Sequence, residues 1–137
     1  MESIIDHVGI SVSDYERTKA LYSAALLPLG IKLLMEFPNV GGWGKTHKPE
    51  LWISFNPERK IAPVHVCLKA KSREEVDAFY KAAIAAGLRD NGPPGLRPMY
   101  HPNYYGAFVL DPDGHNLEAV FHGWASVCER CAAPWRS

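Results

Sequence analysis

The chain has 137 residues, of which 47% are hydrophobic, and Lys plus Arg balance Asp plus Glu at 15 each. This length fits one compact domain, and the composition excludes a disordered chain. The balanced charge provides no field that would attract nucleic acid or an anionic membrane, and no apolar run reaches the ~20 residues of a transmembrane helix. We therefore expect a single domain over residues 1–137 that binds neither nucleic acid nor membrane.

The three cysteines form no disulfide framework, which favours a reducing, cytoplasmic location. Cys128 and Cys131 make a lone C-x-x-C pair. A zinc site requires a second pair, and a redox motif of this type precedes a helix in a βαβ unit. Neither context is present, so we expect neither role. The acidic start MESIIDHVGISV has no basic n-region and does not predict a secretory signal.

An internal repeat organises the chain. The segment DHVGISVSDYERTKALYSAALLPLGIK, from Asp6, aligns without a gap with VHVCLKAKSREEVDAFYKAAIAAGLRD, from Val64, and places His7 over His65. Both copies open with residues that alternate between apolar and polar, the pattern of a half-buried strand. Self-similarity of this kind indicates two units of one fold.

A helix follows the opening strand in each copy. Apolar residues recur at i, i+3, i+4 and i+7, which predicts amphipathic helices. Asp14 is placed to cap the first helix, and Ser72 with Glu75 forms a capping box for the second. The predicted buried faces are Thr18, Leu21, Tyr22, Ala25, Leu26 and Leu29 in the first helix, and Val76, Phe79, Tyr80, Ala83 and Ile84 in the second.

Short strand-like runs complete each copy. They are IKLLMEF, a glycine-rich stretch near NVGGWGK, and LWISF after the first helix, and LRD, YYGAFVL and HNLEAVF after the second. Each copy is therefore βαβββ. The sequence predicts an α+β fold in which paired βαβββ modules, at about residues 4–56 and 61–122, form a curved mixed sheet around a concave cleft, with a short tail at 123–137.

Two turn-rich segments lie within the second copy. The loop NGPPGLRP, 91–98, has the length and composition of a flap over a site. The segment DPDG, 111–114, resembles part of a calcium loop, but the remaining ligand positions of an EF-hand are absent. We interpret it as a hairpin turn with proline at the first central position.

Three side chains are candidates for one metal site. The apolar face of each opening strand has to meet its helix, so His7 and His65 point to the other face of the sheet. Glu118 alternates with Leu117 and Ala119 and faces the same side, where a carboxylate is costly to bury without a partner. Two imidazoles and one carboxylate suit a divalent ion and leave open positions, as catalytic sites do.

A second group of candidates lies beside the predicted flap. Arg97, His101, Tyr104 and Tyr105 suit the binding of a polar or anionic substrate, although a loop packed on its own aromatic residues has the same composition. Trp52, in LWISF, is predicted to contact the substrate from the first module.

The paired modules, a histidine in the first strand of each and the ending DPDGHNLEAV resemble the vicinal oxygen chelate superfamily over about residues 4–122. Glyoxalase I, fosfomycin-resistance enzymes, methylmalonyl-CoA epimerase, extradiol dioxygenases and bleomycin-resistance proteins belong to it. The chain is most similar to small glyoxalase-like proteins that carry RPxYHPxYYGAFVLDPDGHNxEAV. The resemblance implies that His7, His65 and Glu118 hold a divalent metal, and it implies a homodimer whose cleft forms within one chain or between two.

One position departs from the family pattern. The family often takes a fourth ligand from the last strand of the first module, where this chain has Trp52 and Ser54 at the alternate positions of ELWISF. The departure implies a three-ligand site and puts glyoxalase I activity itself in doubt.

The resemblance implies a metal-dependent lyase, isomerase or transferase acting on a small molecule with vicinal oxygens. Glu118 would serve as both ligand and catalytic proton carrier, and the residues do not distinguish Zn, Mn, Ni, Co or Fe. Two alternatives stay open. One is a metal-free drug-binding protein of the bleomycin-resistance kind, against which the retained triad argues. The other is an Fe(II) ring-cleaving dioxygenase, whose relatives on this fold have longer chains.

Overall fold

A computed structural model describes residues 3–123, so Cys128, Cys131 and nearly all of the predicted tail lie outside the described residues. Within residues 3–123, two α-helices and nine strands follow one another, with a single 3-10 turn at Leu27–Leu29. They are β1 (Val8–Ser11), α1 (Tyr15–Leu26), β2 (Lys32–Phe37), β3 (Val40–Gly44), β4 (Leu51–Ser54), β5 (His65–Lys69), α2 (Arg73–Ala86), β6 (Arg89–Asp90), β7 (Gly95–Leu96), β8 (Tyr105–Leu110) and β9 (Asn116–Phe121). Within this part of the chain, no helix is both long and apolar enough to cross a membrane.

The strands form two sheets built on the same plan. The first has the order β1-β4-β3-β2, and the second has the order β5-β9-β8-β6 with β7 beside β8. In each sheet the opening strand runs parallel to the last strand, while the other neighbours are antiparallel. A helix connects the first and second strands of each sheet, as parallel pairing requires a crossover. The predicted α+β class is confirmed, with two sheets of mixed strands.

The predicted flap is partly a strand. Gly95 and Leu96 pair with Gly106 and Tyr105 of β8, so the middle of segment 91–98 extends the second sheet. Turn-forming residues hide such a two-residue strand from the sequence because its pairing depends on a partner strand elsewhere in the chain.

Both helix starts agree with the sequence. The Asp14 side chain accepts a hydrogen bond from the Arg17 backbone N–H at 3.1 Å, and the Ser72 hydroxyl accepts one from the Glu75 N–H at 3.1 Å. The Glu75 carboxylate reaches back to the backbone N–H of Lys71, one residue before the cap. These contacts satisfy amide groups that have no partner inside the helix.

The two helices pack against each other, and one cluster of buried residues joins both sheets. All six residues predicted for the buried face of α1 and its extension are buried, as are Val76, Phe79 and Ala83 of α2. Tyr80 is half-buried, and the prediction for Ile84 is wrong, since its side chain is 39% exposed at the flank of the apolar stripe. Each large buried side chain contributes about 1.5–3 kcal/mol.

The turn that joins β8 to β9 carries a buried carboxylate. Asp111 is fully buried. Its Oδ2 accepts a hydrogen bond from the Tyr22 hydroxyl of α1 at 2.7 Å, and its Oδ1 accepts the backbone N–H groups of Asp113 and His115, each at 2.9 Å. The carboxylate therefore shapes the turn and also attaches it to the helix of the first half.

Two more side chains of this turn reach across to the first half. His115 accepts the Val64 N–H at Nδ1, at 3.1 Å, so its proton lies on Nε2, which donates to the Ser11 carbonyl oxygen at 2.8 Å. The Asp113 carboxylate accepts the Ser13 N–H at 2.9 Å. We call residues 111–115 the fastening turn. The sequence predicted only a hairpin at 111–114.

Candidate functional site

The face of the second sheet that lies away from the helices brings several reactive side chains together. Cys67 of β5 and Phe108 of β8 are both paired in register with Glu118 of β9, and His65 lies two residues before Cys67 on the same face. The face carries these residues because side chains alternate along a strand, which sends Leu117 and Ala119 into the core instead. We call it the open face.

Glu118 is held at both carboxylate oxygens, although it is only 1% exposed. Its Oε1 lies 2.8 Å from Nε2 of His65, and its Oε2 accepts a hydrogen bond from the Tyr104 hydroxyl. Burial and then this hydrogen bond raise the pKa of Tyr104, which keeps the phenol a donor. His65 and Glu118, two of the three predicted ligands, thus lie within hydrogen-bond distance of each other.

Cys67 is a member of this group that the sequence reasoning missed. Cys67 is exposed along the edge of the sheet, but neighbouring groups that partly shield its thiol from water, and then the Glu118 carboxylate, raise the pKa of Cys67. The alternation of side chains along a strand could have identified it, since Cys67 follows His65 by two positions and therefore lies on the same face.

The structure does not gather His7 into one ligand group with the other two predicted ligands. Its Nδ1 is 2.7 Å from the Asp6 carboxylate, its side chain is 57% exposed, and Lys48 also contacts Asp6. The hydrogen bonds from His7 and then Lys48 lower the pKa of Asp6. Among residues 3–123, the metal-ligating atoms of His7, His65 and Glu118 do not all lie within 4.8 Å of one another.

One three-residue group within the described range does have metal-ligating atoms within 4.8 Å of one another: Asp111, Asp113 and His115. These are the side chains of the fastening turn. Both nitrogens of His115 and both oxygens of Asp111 already have hydrogen-bond partners in the protein. Because these contacts join the turn to Tyr22, Ser11 and Val64, we interpret the group as a structural connection between the two halves.

The predicted substrate contacts have different surroundings. The Arg97 guanidinium donates to the Pro93 carbonyl oxygen at 2.7 Å and lies 5.4 Å from the ring centre of Phe108 on the open face. The Phe108 ring is 6.3 Å from that of His65. Arg97 is therefore next to the group around Glu118.

His101 and Tyr105 lie farther from the open face. His101 is 5% exposed and its Nε2 is 2.9 Å from Nδ1 of His122, behind the ring of Tyr104. The Tyr105 hydroxyl donates to the Asp77 carboxylate of α2 at 2.6 Å, which places this side chain on the helix side of the sheet. Consecutive strand residues face opposite ways, so Tyr104 and Tyr105 cannot share a face.

Trp52 takes the position in the first sheet that Glu118 takes in the second. Trp52 is paired with Gly9, and Glu118 is paired with Cys67. The repeat aligns Gly9 with Cys67 because each follows the repeated histidine by two residues. The first sheet thus presents an indole where the second presents a carboxylate.

A cavity of about 410 Å³ runs along the free edge of β5. Its lining includes His65, Cys67 and Lys69 from one half and Asp6, Trp43 and Glu50 from the other. A volume of this size is in the range of sites for small molecules.

Comparison with known proteins identifies the family. A family model described as the Glyoxalase/Bleomycin resistance protein/Dioxygenase superfamily matches residues 4–119. The chain belongs to this superfamily. No curated protein matches it significantly.

Solved structures of the superfamily share its fold. A glyoxalase/bleomycin resistance protein from Albidiferax ferrireducens T118 is 29% identical, with a TM-score of 0.76 and coverage of 86% of this chain and 98% of that one. A lactoylglutathione lyase from Agrobacterium tumefaciens is 17% identical, with a TM-score of 0.64 and coverage of 88% and 94%. The second likeness is one of fold alone. Membership of the superfamily agrees with the resemblance found in the sequence.

Proposed function

We propose that this protein is a divalent-metal-dependent, glyoxalase-like enzyme that acts on a small molecule with vicinal oxygens. The ligands are His7, His65 and Glu118. The observation that carries the proposal is the pair formed by a buried Glu118 carboxylate and the Nε2 atom of His65, 2.8 Å apart on the open face.

The residues present fit a divalent ion. A carboxylate that is 1% exposed is costly to keep ionised unless a cation compensates it. Two imidazoles with one carboxylate are a ligand set for Zn, Mn, Ni, Co or Fe and leave positions for substrate. Trp52 stands where a fourth ligand would otherwise come from the first module, which favours three protein ligands.

A hydrogen bond to Asp6 orients the His7 ring for metal binding. Its Nδ1 is bonded to Asp6 at 2.7 Å, which leaves Nε2 as the atom available for metal. Carboxylates that bond the second nitrogen of a ligating histidine orient its ring and raise its basicity. Because His7, His65 and Glu118 do not form one ligand group among the described residues of a single chain, we propose a homodimer in which one subunit supplies His7 and the other supplies His65 and Glu118.

The remaining roles follow from position. A bound ion would polarise two adjacent substrate oxygens and stabilise the negative charge that develops on them. The Glu118 carboxylate would also accept and return a substrate proton. Arg97, beside Phe108, would bind an anionic group of the substrate, and Trp52 would contact it from the first module. The free thiol of Cys67 suits a reducing, cytoplasmic location.

Metal binding provides the first test. We expect the wild-type protein, purified without chelator, to contain a divalent ion, and His65→Ala and Glu118→Gln to lose it. His47→Ala is the control, because His47 is an exposed loop histidine. Metal content that is unchanged in both site variants would exclude the proposal. Iron with oxygen consumption would identify a dioxygenase, and ligand binding without metal would identify a binding protein.

Mixing variants tests the shared site. His7→Ala and Glu118→Gln proteins each lack one ligand, and neither homodimer has an intact site. After subunit exchange, a site shared between two chains recovers about a quarter of the wild-type metal content, because half of the dimers are mixed and each of these has one complete site. No recovery, with subunit exchange verified, would mean that the site forms within one chain.

A further inference from the structure

We propose that Tyr104 is a positioning residue that orients the Glu118 carboxylate toward His65, and that it does not bind substrate. The inference rests on the proposed function, because it concerns the ligand geometry of the same site. It changes the role that the sequence favours for Tyr104.

The two oxygens of Glu118 have different partners. Tyr104 donates its hydroxyl proton to Oε2, while Oε1 lies 2.8 Å from Nε2 of His65. The terminal torsion of a glutamate has broad minima, so a carboxylate without a partner adopts many orientations. With Oε2 held by Tyr104, Oε1 is kept beside the histidine nitrogen.

A glycine makes room for this contact. A Cβ atom at Gly106 would lie 3.0 Å from Cε1 of Tyr104 and 3.3 Å from Oε2 of Glu118. The Tyr104 ring therefore crosses β8 at the one residue whose missing side chain leaves space for it. This explains why the tyrosine just before the strand can reach a carboxylate on the neighbouring strand.

Aromatic neighbours hold the Tyr104 ring in place. The rings of Tyr100, His101 and His122 lie edge-on to it at 4.9, 5.5 and 5.4 Å. His101 accepts the Asn103 N–H at Nδ1, so its proton lies on Nε2 and is donated to His122. The two histidines therefore pack against the tyrosine ring and hold each other in place.

Metal titration of the full chain tests the inference, with Co²⁺ as the probe. Tyr104→Phe keeps the ring and removes the hydroxyl. We expect it to bind Co²⁺ about 10- to 100-fold more weakly than the wild type and to change the visible absorption spectrum of the bound ion. Tyr22→Phe is the matched control, because Tyr22 is also a buried tyrosine bonded to a buried carboxylate, Asp111 at 2.7 Å. It should bind Co²⁺ as the wild type does.

The outcomes separate this inference from the proposed function. If the wild type binds no Co²⁺, the metal-dependent function itself is refuted. If the wild type binds Co²⁺ and Tyr104→Phe binds it equally well, or if Tyr22→Phe weakens binding as much, Tyr104 has only a structural role and the inference is overturned. Should Tyr104→Phe not fold by circular dichroism, Gly106→Ala crowds both the Tyr104 ring and Oε2 of Glu118, and wild-type Co²⁺ affinity in that variant overturns the inference.

Discussion

Replacement of Asp111 by alanine should remove the hydrogen bonds that connect the two halves of the molecule and so lower the free energy of unfolding. The carboxylate is fully buried and accepts hydrogen bonds from the Tyr22 hydroxyl, the Asp113 N–H and the His115 N–H. Tyr22 and His115 are themselves only 1% and 2% exposed, so their donors would face no water in the variant. A buried donor that loses its partner costs about 1–3 kcal/mol.

Two such donors give an expected loss of about 4 kcal/mol in the free energy of unfolding. For a chain of this size that corresponds to a melting temperature lower by about 12–16 °C. Urea unfolding followed by circular dichroism measures the loss directly. Asp111→Asn is the matched control: it retains Oδ1 for the two backbone donors and should lose less than ~2 kcal/mol. A loss below about 1 kcal/mol in Asp111→Ala would refute the fastening role.

The same assay distinguishes fastening from metal binding by the group at 111–115. In a Glu118→Gln background the proposed metal site is disabled. If the group held a structural ion, a chelator would lower the melting temperature of this variant, since removal of a ligand that binds only the folded state removes its stabilisation. We expect no change, because the polar atoms of the turn already bond to the protein.

Three further predictions concern the rest of the fold. Burial lowers the pKa of both His101 and His122 below 6.5, so in acid the unfolded chain binds more protons than the folded one. The free energy of unfolding should therefore fall as the pH drops below about 6.5. In urea titrations at acid pH, His101→Phe should flatten this pH dependence, and a curve parallel to that of the wild type would contradict the prediction. Ser72→Ala removes the cap of α2 and should cost about 1 kcal/mol by urea unfolding, with no loss meaning that the cap is not needed. Gly44→Ala would place a Cβ atom against the Lys48 carbonyl oxygen and should lower the free energy of unfolding by about 1–3 kcal/mol, as measured by thermal unfolding. An unchanged melting curve would mean that the backbone at this position moves to make room.

The sequence predicts what local periodicity determines. The caps at Asp14 and Ser72 and the buried stripe of α1 depend on residues within a few positions, and the structure confirms them. The exposure of Ile84 departs from the prediction because the width of a buried stripe depends on what packs against it.

Contacts between distant residues were beyond sequence reasoning. The fastening turn bonds Asp111 to Tyr22, 89 residues earlier, and His115 to Ser11, 104 residues earlier. Nothing in DPDGH indicates which donors will meet it, so it was interpreted as a turn. For the same reason Tyr104 and Tyr105 were grouped as substrate contacts, although the Tyr104 hydroxyl bonds to Glu118 and the Tyr105 hydroxyl bonds to Asp77 on the helix side of the sheet.

The asymmetry between the two modules bears on how the proposed site assembles. The second module carries His65, Cys67 and Glu118 at positions where the first carries His7, Gly9 and Trp52. A single imidazole from the first module cannot hold a divalent ion alone, and in the second module His65 is the imidazole beside Glu118. The helices and the fastening turn join the two halves of one chain, and among the described residues His7 does not form a ligand group with His65 and Glu118. If the site is shared between subunits, metal affinity must fall as the protein is diluted below its dimer dissociation constant, because the ligands then separate. Metal affinity that does not change with protein concentration, while the dimer demonstrably dissociates, would place all three ligands in one chain.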